Sequence, residues 1–396
     1  MKSNSSEIYI KNKRHTIMTI FITNVAQSTT IVIIVLLAIF FLSLRKTEHS
    51  NLFPIRVTQE LKGFGILSVV FAHIAYVLVS DSQFLYPLSI AAGTGVDLFL
   101  FMSGFGLTVG MMKKTLPAAE FYKRRLIKVF IPFWIVLLLL FIADAGLLHI
   151  NYSLPYMAQS MIGLFPHANA ETDVNSPFWY ITWMLMFYML FPLLFNPRRP
   201  WIAAIILAVI ANSIAIFNPF NLQANWLHSL HTFAFSLGIL LAWFLSDRKN
   251  LTEKLELFRS ESTLLRYAII VSMLILAAYM VSHATPDNWP WLSTLVETLN
   301  ISSRTFINQG SNLLVMFALI IAFSLKKLDN KFLYIFGVYS YEIYLVHWPL
   351  MARYDLFLHT LPAWLALFLW LLSFIVIGWL LQKITTPLGA WVDSRS

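Results

Sequence analysis

Titratable side chains are rare in the apolar stretches of this 396-residue chain, and the few that occur have residue types that can do chemistry. Lys62 and His73 are eleven residues apart within one such stretch. On an α-helix this spacing is three turns plus roughly 20°, which puts both side chains on one face, roughly 16 Å apart along the axis. A neutral imidazole can accept a proton near neutral pH, and an ammonium group can bind an anion. The spacing therefore indicates a reactive helix face, although an isolated intramembrane His can also serve only as a hydrogen-bond partner between helices.

Three further titratable side chains lie inside apolar stretches: Asp97, Glu342 and His347. Counted along ideal helices, Asp97 is roughly 14 Å deep, Glu342 about 16 Å and His347 about 24 Å. His73, Asp97 and Glu342 are thus predicted in the middle third of the membrane, as expected of a polar cavity between helices. Each has a simpler alternative: Asp97 and Glu342 can be structural acceptors, and His347 beside Trp348 can be an interfacial anchor.

The composition explains why these side chains stand out. Apolar residues make up 58% of the chain and charged residues only 12%, whereas soluble domains are about a quarter charged. This composition excludes disorder, coiled coil and collagen and indicates a membrane protein. The net charge of +9 fits the positive residues of cytoplasmic loops, and no nucleic-acid-binding module is present. The absence of Cys excludes disulfides and thiolate chemistry. No two of the titratable residues named above fall at the His-x-x-x-His spacing that binds a metal from one helix face, so no metal is expected.

The apolar stretches set the fold class, because a membrane span needs roughly 20 mostly apolar residues. We predict an all-α polytopic membrane protein with about eleven transmembrane helices. Residues 1–50 would form a tail and an additional helix, residues 51–385 a ten-helix core, and residues 386–396 a short C-terminal tail. The predicted spans are 17–44, 63–80, 88–112, 126–148, 178–195, 200–217, 228–246, 266–283, 306–325, 332–352 and 361–382.

The loops between these spans alternate in charge. The loops 113–125, 247–265 and 326–331 are rich in Lys and Arg, whereas 81–87 and 149–177 contain neither. Positive residues accumulate in cytoplasmic loops, so the first three loops are predicted inside and 149–177 outside. An odd number of spans then puts the N-terminus outside, and the basic residues Lys11, Lys13 and Arg14 oppose that assignment.

Four segments in order resemble the acyltransferase-3 family of integral-membrane acyltransferases, over about residues 55–385. They are Lys62 and His73 with ten residues between them, the run GVDLFLFMSGF from Gly95, the basic stretch FYKRRLIK from Phe121 followed by Pro132, and the run YSYEIYLVHWPL from Tyr339. Phe178-Trp179-Tyr180 at the start of the fifth span fits as well. This chain departs from the family pattern at two positions, with Lys62 and Lys128 in place of arginine. Lysine keeps the charge but lacks the bidentate guanidinium.

The resemblance implies that an acyl group, most often acetyl, moves from cytoplasmic acyl-CoA to a hydroxyl of a cell-envelope polysaccharide or lipid-linked sugar. The protein would be a multi-pass enzyme of the inner or plasma membrane with no bound cofactor. Its partners would be acyl-CoA, the glycan and the bilayer, and nothing in the sequence indicates an oligomeric state. The alternative is a transporter of a polysaccharide or lipid-linked glycan that performs no catalysis.

The residues then take expected roles. His73 would be the general base, Asp97 would orient its ring, and Lys62 would stabilise charge beside them. A cationic cluster at the cytoplasmic mouth would bind the CoA phosphates, and a polar group would line the cavity on the acceptor side. The cluster comprises Arg124, Arg125 and Lys128, and the polar group comprises Ser103, Tyr341, Glu342 and His347. Ser103, Tyr341 and Lys62 are also alternative donors to the oxyanion of the acyl-transfer intermediate.

Overall fold

The computed structural model describes residues 22, 24–46, 53–75, 84–247, 263–282, 303–326 and 328–395, and most of them are helical. Residues 1–21 and the basic loop 248–262 lie outside the described residues. The helices are α1 Val25–Leu42, α2 Ile55–His73, α3 Ala92–Lys113, α4 Ala118–Arg125, α5 Ile131–Leu147, α6 Leu154–Met161, α7 Trp179–Leu194, α8 Pro200–Phe217, α9 Asn225–His228, α10 Ala234–Asp247, α11 Thr263–Ser282, α12 Ser303–Leu325, α13 Lys331–Val338, α14 Ser340–Ala352 and α15 Ala363–Arg395. Short 3₁₀ segments, Leu88–Ala91 and Ser176–Phe178, precede α3 and α7, and a π-helical segment, Leu126–Phe130, joins α4 to α5.

Within the described residues, seven helical segments are long and apolar enough to cross a membrane, and two shorter apolar helices accompany them. All eleven predicted spans overlap helices of the structure. The prediction of an all-α polytopic membrane protein is therefore confirmed. The long segments are Val25–Leu42, Leu88–Lys113, Ala118–Leu147, Ser176–Leu194, Pro200–Phe217, Thr305–Leu325 and Ala363–Ala390, and the shorter ones are Ala234–Ser246 and Tyr267–Met280.

Helix α2 begins at Ile55, directly after Pro54 and eight residues before the predicted start of this span. The first turns of α2 contain the charged residues Arg56 and Glu60, and their low hydropathy predicted a loop before the span. The structure buries Glu60 completely and pairs it with Lys326, and Arg56 pairs with Asp329 at 3.1 Å. A buried carboxylate is tolerated in such a place because it has a cationic partner.

Two short strands, β1 Leu44–Lys46 and β2 Leu328–Asn330, pair antiparallel in a way that the sequence did not predict. They join the end of α1 to the chain that leads into α13. The tenth predicted span is divided at Tyr339 into α13 and α14. The strand pair marks one end of the helix bundle, which we call the inner end.

The opposite, outer end is marked by the start of α1. There the backbone N–H of Leu85 donates to Oγ1 of Thr29 at 3.1 Å, and Gln27 lines a small groove together with Trp364. Arg353 pairs with Asp144 and donates to the carbonyl oxygen of Asp173. Loop 149–177 and the α14–α15 connection therefore lie at the end opposite to the strand pair, which agrees with the predicted alternation.

Helix α3 is central because it crosses two neighbours at glycines. A Cβ on Gly95 would lie 2.6 Å from the carbonyl oxygen of Gly65 in α2, and a Cβ on Gly104 would lie 2.1 Å from that of Phe235 in α10. A Cβ on Gly238 of α10 would in turn lie 2.2 Å from the carbonyl oxygen of Phe101. Small residues at such crossings let helix backbones approach closely. These contacts fix the axial register of α2, α3 and α10, on which the site depends.

Candidate active site

One cavity of about 1150 Å³ lies among the helices that carry the sequence motifs. Its wall is formed by α2, α3, α4, α7, α13, α14 and α15, together with the π-helical segment and the start of α5, the 3₁₀ segment before α7 and the chain from α9 to α10. The titratable and hydroxyl-bearing residues on this wall are Lys62, His73, Ser103, Arg124, Arg125, Lys128, Tyr180, Tyr188, His231, Ser340, Tyr341, Glu342, Tyr344, Thr385 and Thr386. Asp97 and His347 are absent from the wall because each lies, completely buried, behind another residue.

His73 lies at the end of α2, and its partner is His347 of α14. Nδ1 of His73 is 2.8 Å from Nε2 of His347, and the two rings are stacked with centroids 5.1 Å apart. Trp348 packs edge-on against His73 at 5.4 Å. The interfacial-anchor interpretation of His347 is therefore wrong, because its ring is buried and bonded to the candidate base.

The hydrogen bonds of His347 determine which nitrogen of His73 is basic. Nδ1 of His347 lies 3.1 Å from the carbonyl oxygen of Ile343 and 2.9 Å from that of Tyr344. Carbonyl oxygens only accept, so we assign the proton of neutral His347 to Nδ1. Its Nε2 must then accept a hydrogen bond from Nδ1–H of His73. The remaining nitrogen of His73, Nε2, carries the lone pair, and it makes no hydrogen bond to any described residue.

Asp97 does not orient His73, in contrast to the sequence-based expectation. Its Oδ1 is 2.8 Å from Nδ1 of His231, whose ring lies on the cavity wall. The ring of His231 stacks on Trp179 with centroids 5.9 Å apart, and its backbone carbonyl accepts a hydrogen bond from Nε1 of Trp183 at 3.2 Å. The cavity therefore has two histidines on its wall, each held from behind by a buried partner.

The register of α2 and α3 explains why Asp97 and His73 are separated. Gly65 faces Gly95 in this antiparallel pair, so His73 is displaced toward the outer end and Asp97 toward the inner end. Together the two displacements amount to ten residues of helix, or about 15 Å along the axis. Lys62, by contrast, lies nearly level with Asp97. The sequence-based depths put His73 and Asp97 at the same level in the membrane, because a depth counted along one helix contains no information on the register between neighbouring helices.

The inner part of the cavity is cationic. Lys62 is close enough to Lys128 and Arg125 for their charges to interact. The guanidinium of Arg125 lies over the rings of Phe121 and Tyr188, at 5.7 and 6.0 Å from the centroids. Arg124 is exposed and forms an ion pair with Glu120 at 2.7 Å. Three of these four cations therefore remain available to an anionic ligand.

The π-helical segment positions Lys128 at this mouth. Pro132 has no N–H, and its ring clashes with the carbonyl oxygen four residues earlier in a regular helix, which here belongs to Lys128. The helix widens over Leu126–Phe130 and avoids that clash. Such π-bulges are frequent at functional sites.

The hydroxyl groups on the wall differ in their availability. Tyr341 donates to the carbonyl oxygen of Val129 at 2.8 Å, so its proton is already engaged. Ser103 accepts from Tyr188 at 3.2 Å and keeps its own O–H free to donate. Tyr180 lines the cavity, and its hydroxyl bonds to no other described residue. Of the sequence-based candidates for an oxyanion donor, Ser103 and Lys62 therefore remain.

Glu342 lines the cavity near Lys128. Its buried oxygen Oε2 has no hydrogen-bond partner among the described residues. In the part of the chain that the structure describes, no three His, Asp or Glu side chains are grouped as metal ligands.

His231 was missed at the sequence level. It stands near the start of an apolar span, three residues after His228, and this pair of histidines was the available signal. Hydropathy alone does not distinguish them, and His228 does not line the cavity. Its ring is buried against Trp183, with centroids 4.8 Å apart.

Comparison with known proteins identifies the family to which the chain belongs. None of the curated proteins or solved structures matches the chain. The family model of the acyltransferase-3 type, described as an acyltransferase domain, matches residues 61–383. That range includes both histidines of the wall, their buried partners and the cationic mouth. The chain belongs to the acyltransferase-3 family of membrane acyltransferases.

Proposed function

We propose that this acyltransferase moves an acyl group, acetyl in the first instance, from cytoplasmic acyl-CoA to a hydroxyl of a cell-envelope polysaccharide or lipid-linked sugar. Its location would be the inner or plasma membrane. The observation that carries the proposal is a cavity that joins a cationic inner mouth to His73, whose Nε2 has no hydrogen-bond partner among the described residues. Its volume of about 1150 Å³ is at the upper end of ordinary ligand pockets, which span roughly 300–1,000 Å³. Such a space suits a long donor and a second substrate together.

The inner mouth supports an anionic donor. Arg125, Lys62 and Lys128 line the same end of the cavity, and phosphate groups are bound by clustered cationic donors. The phosphates of CoA would bind there, because they cannot enter the apolar interior. The pantetheine arm would then extend along the cavity toward the outer end.

The outer histidine supports transfer to an alcohol. Nε2 of His73 would take the proton of the sugar hydroxyl while its oxygen attacks the thioester carbonyl carbon. The tetrahedral intermediate then expels the CoA thiolate, which takes the proton from His73. His347 would hold the ring in the productive tautomer throughout, as the orienting residue does in a catalytic triad.

The test is acyl transfer by the purified protein in lipid nanodiscs. Free CoA thiol released from acetyl-CoA is measured with and without a cell-envelope glycan extract from cells that lack this protein. We expect glycan-dependent release, and His73→Gln should lower kcat by about 100-fold or more, since general base catalysis contributes about that factor. His149→Asn is the matched control, because His149 is exposed and outside the cavity, and asparagine tolerates its positive φ of 57°.

Two results would contradict the proposal. Release of thiol by His73→Gln at more than about a tenth of the wild-type rate would remove His73 as the base. Movement of glycan across sealed vesicles with no thiol release would instead support the transporter alternative.

A further inference from the structure

Glu342 is a buried titratable residue of the cavity wall to which the mechanism above gives no role. The residue is only 6% exposed, and Oε2 of its carboxyl group has no hydrogen-bond partner among the described residues. Carboxyl groups inside a membrane protein are expensive and usually functional. Because buried polar atoms are nearly always hydrogen-bonded, an oxygen that lines a cavity in this way indicates a ligand that supplies a donor.

The surroundings of Glu342 hold its carboxyl group without satisfying both of its oxygens. The side chain of Gln382 on α15 bonds to the carboxyl group, and Nε2 of Gln382 also donates to the carbonyl oxygen of Val338 at 2.9 Å. Lys128 is close enough for its charge to act on Glu342. A carboxyl oxygen accepts a hydrogen bond in either protonation state, so Oε2 can bind an N–H group whether Glu342 is charged or neutral.

Along the cavity, Glu342 lies between the cationic mouth and the histidine pair. Helix α14 ends just before Arg353 at the outer end, so Glu342 is on the inner side of His347. The two residues are five positions apart, which corresponds to about 7.5 Å along the axis. His347 is bonded to His73, and His73 is roughly 16 Å from Lys62 along α2. Glu342 is therefore about halfway between Lys62 and the base.

The pantetheine arm of CoA has matching dimensions. About thirteen bonds separate its phosphorus atom from the sulfur, and at about 1.2 Å per bond an extended chain of that length spans roughly 16 Å. The nitrogen of the amide that joins the pantoyl and β-alanine units is about seven bonds from the sulfur, or roughly 8 Å. With the phosphates at Lys62 and the thioester at His73, this amide N–H comes to the level of Glu342.

We propose that Glu342 binds the pantoyl–β-alanine amide of the acyl-CoA donor, and that its Oε2 accepts the hydrogen bond of this amide N–H. The assignment rests on the donor part of the proposed function. It places Glu342 on the path of the donor, in contrast to the sequence-based expectation of the acceptor side. One bond at this point fixes how far the arm extends, so that the thioester stops beside His73. It also selects pantetheine thioesters over thioesters that have no amide at this distance from the sulfur.

The experiment measures the binding of two ligands to the purified protein in nanodiscs by isothermal titration calorimetry. They are CoA and adenosine 3′,5′-bisphosphate, which keeps the nucleotide and lacks the arm. The ratio of the Kd for CoA to the Kd for the bisphosphate reports on the arm, because a change in charge near the mouth acts on both ligands. Glu342→Leu should raise this ratio by about tenfold or more, as expected for loss of a hydrogen bond to a charged group.

Two further variants are compared with Glu342→Leu. Glu342→Gln keeps an acceptor oxygen and should raise the ratio clearly less. Glu171→Leu is the matched control, because Glu171 is exposed at the outer end and outside the cavity, and it should leave the ratio unchanged.

The possible outcomes separate this assignment from the proposed function. If Glu342→Leu keeps the ratio within about threefold of wild type, or if Glu342→Gln raises it as much as Glu342→Leu, the assignment is wrong. The proposed function then still stands on glycan-dependent thiol release by wild type. Binding of CoA without thiol release would overturn the proposed transfer, whereas the ratio would still decide the role of Glu342. No binding of CoA by wild type would overturn both.

A change in the ligand replaces the change in the protein if Glu342→Leu does not fold, as judged by size exclusion. Wild type is then titrated with a CoA analogue that carries a methyl group on the nitrogen of the pantoyl–β-alanine amide. This analogue has no N–H to donate, so it should bind about tenfold or more weakly than CoA. Equal binding of the two ligands would overturn the assignment.

Discussion

At the scale of single residues, the cationic side chains of the inner mouth differ in the partners with which they already interact. Arg124 is exposed and bonded to Glu120 one helical turn away. Arg125 has no carboxylate partner among the described residues, and its guanidinium lies over Tyr188 at the cavity wall. Its Nε is buried without a hydrogen bond to the described residues. Arg125 is therefore the better placed of the two to bind a phosphate.

We expect Arg125→Gln to raise the KM for acetyl-CoA by about tenfold or more, because a hydrogen bond to a charged group contributes about 1.5–3 kcal/mol. Arg124→Gln is the matched control, and it should change this KM by less than about threefold. The difference should shrink at high salt, which screens charges. Steady-state kinetics at two salt concentrations measures both effects. Equal effects of the two substitutions, or a change confined to the KM for the glycan, would argue against phosphate binding by Arg125.

The sequence predicted eight of the titratable and hydroxyl-bearing residues on the cavity wall but not their pairing. Lys62, His73 and Ser103 were found because their residue types stand out in apolar stretches and in family motifs. The pairs His73–His347 and Asp97–His231 join residues 274 and 134 positions apart, and no local pattern reports such a contact. The partner assigned to Asp97 was wrong for this reason.

At the scale of helices, the pairing depends on how α3 and α10 cross. The offset of 134 residues recurs at the other end of this pair, where Oγ of Ser246 is 3.6 Å from Sδ of Met112. The two helices therefore run in parallel with a fixed register between these contacts. Gly104 and Gly238 lie between them, where the backbones touch. Loss of close approach at this point would separate Asp97 from His231.

Gly238→Ala should destabilise the protein, because its Cβ would lie 2.2 Å from the backbone oxygen of Phe101. Overpacking of this kind typically costs about 1–3 kcal/mol. Gly110→Ala, also on α3, is the matched control. Its Cβ would meet nothing within 4 Å, and alanine is favoured over glycine in a helix by roughly 0.5–1 kcal/mol. Thermal unfolding in detergent should show a lower Tm for Gly238→Ala and an unchanged or higher Tm for Gly110→Ala. Equal Tm values would show that the crossing tolerates a methyl group.

Helix existence followed from hydropathy, whereas helix irregularities did not. The stretches of about 20 apolar residues located the spans, because the bilayer selects that length. The early start of α2 escaped notice because ion pairs with Lys326 and Asp329 compensate its polar first turns. The pairing of β1 with β2 joins segments at opposite ends of the chain. Such features depend on contacts with residues far away in the sequence, which the hydropathy of a local segment does not include.

At the scale of the whole molecule, the two ends of the helix bundle carry different chemistry. The inner end has the strand pair and the cations of the cavity. The outer end has a buried cluster in which Asp144 accepts hydrogen bonds from Arg353, Tyr152 and Tyr354. That cluster ties α5 and the chain before α6 to the end of α14. A donor and an acceptor that enter from opposite ends would therefore meet inside one helix bundle.

The orientation of this helix bundle in the membrane decides whether the donor route is feasible, since acyl-CoA is cytoplasmic. Positive loops predict that the end with Lys114 is inside and that loop 149–177 is outside.

The chain contains no Cys, so a single introduced thiol is an unambiguous probe. Glu171 and Lys114 are both exposed and lie at opposite ends of the bundle. In intact cells, Glu171→Cys should react with a membrane-impermeant maleimide, whereas Lys114→Cys should react only after the cells are opened. The reverse pattern would put the cationic mouth outside. Cytoplasmic acyl-CoA could then not reach Arg125, and the assignment of that mouth to the donor would be wrong.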